Sequence, residues 1–212
     1  MVWEIIVAIV VGYSLGSVPF AYIVGRLKKG VDIRQVGGGN VGALNTYREI
    51  GPVYGIGVLA ADIAKGAVAV LIARWLGLAV AWVCVAGFAA VIGHNWPIFL
   101  KFRGGKGAAT VIGVLLALLP VELLISGGIV LILIGVIRNV RLALVALAFA
   151  PLLAWIFNKD IAYIYAALGL LLFIGVRTAL SLKSEMAKPG VKKNLIIDRD
   201  HTAWQTKKHS SQ

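Results

Sequence analysis

Cysteine occurs once in these 212 residues, at Cys84 inside an apolar run, which leaves no disulfide framework and no thiolate metal site. Histidine occurs three times, and no second histidine or carboxylate stands close enough to His94 in sequence to suggest a metal centre. Acidic residues number 9 against 21 Lys and Arg, and charged residues of both signs make up 14% of the chain, well below the roughly 25% of an ordinary soluble domain. There is no G-x-S-x-G elbow and no H-x-x-x-x-D box, since Phe99 and Thr206 stand five residues beyond His94 and His201. A serine-hydrolase or histidine–aspartate acyl-transfer site therefore has no sequence support.

What the chain has is hydrocarbon: 60% hydrophobic residues and a mean hydropathy of +0.91. A helix rises about 1.5 Å per residue and must cross about 30 Å of lipid, so each crossing takes roughly 20 apolar residues. The predicted fold is all-α, a polytopic membrane protein with about seven transmembrane helices. The spans are read at Trp3–Val24, Val53–Ala73, Ala79–Gly93, Ala108–Leu119, Val121–Ile137, Leu142–Phe157 and Ile161–Val176, several of them short for a crossing. The first has Glu4 and no basic residue before it and lacks a small-x-small cleavage signal, so it reads as a retained helix. Residues 1–182 form one membrane domain, and 183–212 a polar cytoplasmic tail in which Pro189-Gly190 makes a break.

Loop charge decides whether the stretch around Pro120 is one kinked helix or two crossings. With two, and with the N-terminus outside, Arg26, Lys28, Lys29, Arg34, Arg48, Lys101, Arg103, Lys106, Arg138, Arg141 and eight basic residues of the last stretch all fall inside. Only Arg74 and Lys159 stay outside, and Lys65 lies within a span. Merging the two segments inverts everything downstream and scatters the charge over both faces. This parity puts the basic residues against anionic headgroups, which accounts for the formal charge of +12 without nucleic acid as a partner.

Two glycine clusters interrupt the hydrocarbon: Asp32 to Asn45, containing Gly37, Gly38, Gly39, Asn40 and Gly42, and Arg103 to Gly107, containing Gly104, Gly105 and Lys106. The same parity places both on the cytoplasmic side, where they can meet. Backbone without Cβ can turn several N–H groups toward one point, and Arg34, Arg48, Arg103 and Lys106 make that guest an anion. Gly37, Gly39 and Gly42 satisfy G-x-G-x-x-G in spacing, but no βαβ unit surrounds them. Gly104-Gly105-Lys106-Gly107 lacks the gap and the Ser or Thr of a P-loop, so nucleotide hydrolysis is unsupported. Lys106 instead precedes a helix whose first N–H groups attract phosphate.

Asp62 and Lys65 share a helical face deep in a span, where an unpaired charge costs about 2.5–3.5 kcal/mol or more, and pairing between them is the expected outcome. A role in supporting the glycine loops is the functional alternative. Asn40 and Asn45 either cap a turn or bond a substrate hydroxyl. His94, at an inner helix end, holds backbone or moves a proton. Gly12 and Gly16 form a small-xxx-small pair suited to a helix contact.

From about Gly16 to Gly113 the chain resembles the membrane-integral bacterial glycerol-3-phosphate acyltransferases that use acyl phosphate, the PlsY type. The first signature reads Gly16-Ser17-Val18-Pro19, Asp32-Ile33-Arg34, Gly37 to Gly42, Asn45 and Arg48; the second reads Gly93-His94, Pro97, Phe102 and Gly104 to Gly107. Two departures mark a divergent member. Gly38 stands where the family usually has Ser, and Arg177-Thr178-Ala179-Leu180-Ser181 keeps only the arginine of a third signature that usually adds His and Asn.

The resemblance implies transfer of a fatty acyl group from acyl phosphate to the 1-hydroxyl of glycerol 3-phosphate, giving lysophosphatidate at the cytoplasmic face of the bacterial inner membrane. It implies no cofactor and no metal, with acyl phosphate, glycerol 3-phosphate and membrane lipids as partners and a monomer as the working unit. On this reading Lys106, Arg48 and Asn45 are the catalytic candidates. Gly37, Gly38, Gly39, Asn40, Gly104, Gly105 and His94 form the substrate-binding set. A transporter or channel for a phosphorylated metabolite, with Asp62 and Lys65 as its coupling pair, is the rival from another class, and a lapsed paralogue that only binds lipid phosphate is the third.

Overall fold

The computed structural model describes residues 2–137 and 144–186, and every described element is helical. In chain order these are α1 (Val2–Ser17), α2 (Phe20–Lys29), α3 (Ala43–Glu49), α4 (Pro52–Trp75), α5 (Val80–Asn95), α6 (Ala108–Leu118), α7 (Pro120–Ile137), α8 (Phe149–Ile156) and α9 (Ile161–Met186). Short 3-10 turns at Ile98–Leu100 and Leu144–Ala148 connect them. Arg138, Arg141 and the tail from 187 onward lie outside the described residues. α9 carries the helix past position 182, where the tail is expected to begin.

Four segments have the length and apolarity to cross a membrane: Val2–Lys29, Pro52–Trp75, Val80–Leu100 and Ile161–Ser181. Ala108–Leu118, Pro120–Val136 and Val145–Ile156 are apolar but shorter. The protein is thus a multi-pass helical membrane protein, with an outward belt of exposed Val10, Ile56, Leu71, Leu131 and Leu172.

The first span departs from the single helix expected over Trp3–Val24. Pro19 has no N–H to donate and its ring collides with the preceding turn, so α1 stops at Ser17 and the chain resumes as α2. α2 then ends where Gly30 adopts the left-handed conformation, its N–H donating to the Arg26 carbonyl. α4 and α7 both open on proline, the position at which a missing N–H costs nothing.

Small residues let the helices touch backbone to backbone. A Cβ on Gly12 would lie 2.6 Å from the Ala86 carbonyl oxygen, and one on Gly16 would overlap that of Ala90. The register advances in the same sense on both helices, so α1 and α5 run parallel. Gly113 of α6 meets α4 in the same way, its Cβ position 3.1 Å from the Ala67 nitrogen. Around these contacts Val70, Val83, Ala86, Val91, Val111, Val114 and Leu115 form the buried core.

One end of the bundle gathers Arg74 against the Tyr163 hydroxyl, Lys159 3.7 Å from the buried Glu122, and Cys84 beside the Ala162 carbonyl. At the other end Arg177 of α9 reaches Gly105, and Asp62 of α4 meets His94 of α5. Both glycine clusters sit at this second end.

Candidate phosphate-binding site

The first cluster is organised from within. Arg34 grips Asp32 through Nε to Oδ1 at 3.0 Å and Nη2 to Oδ2 at 2.7 Å, and the Arg34 backbone N–H donates to Oδ1 at 3.0 Å. The bidentate bond from the Arg34 guanidinium holds the Asp32 carboxyl below its ordinary range. Arg34 Nη1 then reaches the Leu100 carbonyl at 3.4 Å, which ties the first cluster to the segment leading into the second.

Beyond Arg34 the chain turns through Gly37 at φ +56 and Gly39 at φ +70, values that residues with a Cβ rarely adopt. Asn45, buried on α3, fastens this turn with its whole amide. Nδ2 donates to the Ile33 carbonyl at 3.0 Å and the Val36 carbonyl at 3.2 Å, while Oδ1 accepts from the Gly38 N–H at 3.1 Å. Asn45 thus shapes the glycine turn from behind. That geometry makes it a residue that fixes the shape of the loop, where direct work on the acceptor is the sequence expectation. Asn40 is half-buried, with Nδ2 3.0 Å from the Cβ position of Gly42. Arg48 is exposed on the last turn of α3.

The second cluster folds back on the end of α5. The Gly104 N–H donates to the Asn95 carbonyl and the Gly105 N–H to the His94 carbonyl, both at 3.1 Å. Lys101 and Phe102 precede them in left-handed conformation, at φ 53 and φ 60. A Cβ at Gly105 would overlap both His94 Nε2 and the Val41 carbonyl oxygen. The two clusters therefore close on each other here, and only glycine fits between. Asn40 and Lys106 are the immediate chain neighbours of the residues in contact. Lys106 is half-buried and Arg103 exposed.

Beneath the closure lies a buried ionic group. Lys65 Nζ is 2.8 Å from Asp62 Oδ1 and donates to the Val18 carbonyl at 3.0 Å, at the point where Pro19 interrupts the helix and where the Phe20 N–H donates to the same oxygen. His94 Nδ1 faces the same Asp62 Oδ1 at 3.5 Å. These side chains, with Ser17, Val41 and Pro97, line a narrow cleft. The expectation that His94 binds substrate meets a ring only 7% exposed, lying under Gly105 with Asp62 on its far side.

The pairing of Asp62 with Lys65 follows from their spacing; the third member, His94, comes from another helix and no local pattern announces it. The same holds for Arg34 with Leu100 and Arg177 with Gly105. Among the described residues no group of three or more His, Cys, Asp or Glu could hold a metal ion.

Fold and site together define a multi-pass membrane protein whose two glycine-rich loops close on each other at one end of the helical bundle, with Arg103 and Lys106 in the second loop. Comparison with known proteins carries this further. Residues 6–185 match the family described as glycerol-3-phosphate acyltransferase. Glycerol-3-phosphate acyltransferase 1 of Dehalococcoides mccartyi is 45% identical over 198 residues, covering 90% of this chain and 95% of that protein. Glycerol-3-phosphate acyltransferase 2 of Moorella thermoacetica is 42% identical, covering 92% of this chain and 96% of the relative. The crystal structure of PlsY, an integral membrane glycerol 3-phosphate acyltransferase in its glycerol 3-phosphate form, superposes with a TM-score of 0.78 at 34% identity, over 84% of this chain and 90% of that one. A second PlsY structure, the lysophosphatidic acid form, gives 0.77. The chain belongs to the glycerol-3-phosphate acyltransferase family.

Proposed function

We propose that this chain transfers a fatty acyl group from acyl phosphate to the 1-hydroxyl of glycerol 3-phosphate, releasing phosphate and forming lysophosphatidate. The observation that carries the reading is the closure of the two glycine clusters at Val41 and Gly105, with Lys106 next in the chain. Both substrates bear phosphate, and an acyl phosphate is an activated anhydride that needs no protein nucleophile. The bond between carbonyl carbon and phosphate oxygen breaks as the acceptor oxygen adds, and inorganic phosphate leaves. Lys106 and Arg48 hold the phosphates and the developing carbonyl charge, while the Gly38, Gly39, Gly104 and Gly105 N–H groups, donors in the sequence expectation, are spent on bonds that fix the shape of the loops. Asn45 fixes the first turn and Asn40 orients the acceptor. The hydroxyl proton passes to a substrate phosphate oxygen, a reading supported by the placement of His94 beneath the turn and against Asp62.

The same reading takes α1 with α2, α4, α5, α6, α7, the segment 144–156 and α9 as seven crossings. The glycine clusters then face the cytoplasm across the bacterial inner membrane, and a single chain is the working unit. Support comes from the course of the chain, which brings the start of α7 and the loop before α9 together at the end opposite the site, and from the inside bias of Lys and Arg.

Purified protein supplied with acyl phosphate and labelled glycerol 3-phosphate is expected to form lysophosphatidate, and Lys106→Ala to lose most of that rate. Acyl-CoA offered in place of acyl phosphate is expected to give none. Absence of product from the wild type with acyl phosphate refutes the reaction.

A further inference from the structure

Arg177 belongs to α9, outside both glycine clusters, yet its guanidinium reaches them. Nη2 donates to the Gly105 carbonyl at 3.4 Å, and Cζ lies 4.8 Å over the Trp96 ring. Trp96 is itself fixed, edge-on to Phe173 at 5.9 Å and with its carbonyl accepting from the Tyr13 hydroxyl at 2.9 Å. The stacked arginine therefore has a rigid seat. Its Nε is buried and has no hydrogen-bond acceptor among the described residues.

Gly105 is consequently bound on both sides. Its N–H goes to α5, through the His94 carbonyl, and its C=O goes to α9, through Arg177. His94 Nε2 and the Val41 carbonyl occupy the space a Cβ would need, which leaves little room beside it. In a trans peptide unit the C=O and the following N–H point in opposite directions. A Gly105 carbonyl held toward α9 thus aims the Lys106 N–H away from α9, and sets the direction in which Lys106 leaves the turn.

We infer that Arg177 is a positioning residue: through the Gly105 carbonyl it holds the Gly105–Lys106 peptide in the orientation that presents Lys106 to a phosphate group. This rests on the reading of the site as a phosphate cradle. Lysine at 177 would keep the charge but lose the planar fork that stacks on Trp96 while donating to Gly105.

The test is a double-mutant cycle on the full-length protein, with Arg177→Met and Arg177→Lys made alone and together with Lys106→Ala. Two readouts are followed: turnover of acyl phosphate with glycerol 3-phosphate, and the rise in melting temperature produced by inorganic phosphate. Both Arg177 variants are expected to lower kcat/KM roughly tenfold or more. The split between kcat and KM should copy that of Lys106→Ala, and in the Lys106→Ala background each should add less than about twofold. The phosphate-induced shift should show the same non-additivity. Rescue by Arg177→Lys, or independent losses from the two positions, overturns the inference and makes Arg177 a direct phosphate ligand or a packing residue of α9. A wild type that responds to phosphate but does not turn over refutes the acyl transfer, while the melting cycle still decides the role of Arg177.

Discussion

Replacing Gly105 by alanine tests the closure of the two clusters with a single methyl group. That methyl would overlap His94 Nε2 on one side and the Val41 carbonyl oxygen on the other. Neither can yield cheaply: the His94 ring is buried against Asp62, and Val41 is backbone of the opposing loop. Forcing a methylene-sized group into such a contact costs about 1–3 kcal/mol, and the relief is for the first cluster to back away from the second. If that separation falls wholly on the transition state, as the proposed function implies, the conversion of about 1.4 kcal/mol per decade gives a loss of roughly 5- to 150-fold in kcat/KM. Gly57→Ala, on α4 and outside both clusters, is the matched control. Its Cβ meets nothing within 4 Å, so less than a twofold change is expected there. The assay is lysophosphatidate formation by protein in detergent or nanodiscs, with a melting curve on each variant to exclude misfolding. Gly105→Ala protein that keeps more than half the wild-type kcat/KM at an unchanged melting temperature would show that the loops do not depend on meeting at this point.

Asp62→Asn leaves Lys65 buried beside a weaker partner, and melting in detergent should report a destabilisation of up to about 3–5 kcal/mol; a paired Asp62→Leu, Lys65→Met variant recovering most of it supports the argument, and no recovery contradicts it. Gly16→Leu should separate α1 from α5, visible as a lower melting temperature and loss of the monodisperse peak in size-exclusion chromatography. Gly38→Ser meets open space, so the hydroxyl that the family usually carries there is expected to fold normally and lower KM for glycerol 3-phosphate; an unchanged KM would mean this chain compensates elsewhere. Asp32 gives a pH test. Its carboxyl is held below the ordinary value of 3.8 by Arg34, so its contribution to stability is complete above that pH and disappears as pH falls through the lowered value. The melting difference between wild type and Asp32→Asn should accordingly be constant near neutrality and shrink only below about pH 4.

Much of the architecture was legible because lipid imposes its own arithmetic. Apolar runs of crossing length, separated by basic loops, announce helices whatever their partners, and α4, α5 and α9 fall where hydropathy puts them. The break at Pro19 was harder to read, since Val18-Pro19 is embedded in apolar sequence on both sides. Seven mostly polar residues, 43–49, are too few to carry a periodic signal, so α3 has no signature in the sequence although it carries Asn45 and Arg48. In the site, residue types and glycine spacing pointed to an anion, and the family signatures supplied candidate roles. Burial and orientation could not be read. Asn45 and His94 look like substrate-facing polar groups in the sequence, but in space one fastens a turn from behind and the other is pressed between Asp62 and Gly105.

Lys65 is a cation inside a membrane span held from three sides: it faces a carboxylate and a backbone oxygen at the break in the helix, and the ammonium lies 5.7 Å over the ring of Phe20. An ion that drives cargo across a bilayer must let go and rebind in every cycle. This one is a rivet: releasing it would free the joint between α1 and α2 and loosen the floor under the two glycine loops, so the charge serves to keep that end of the bundle still.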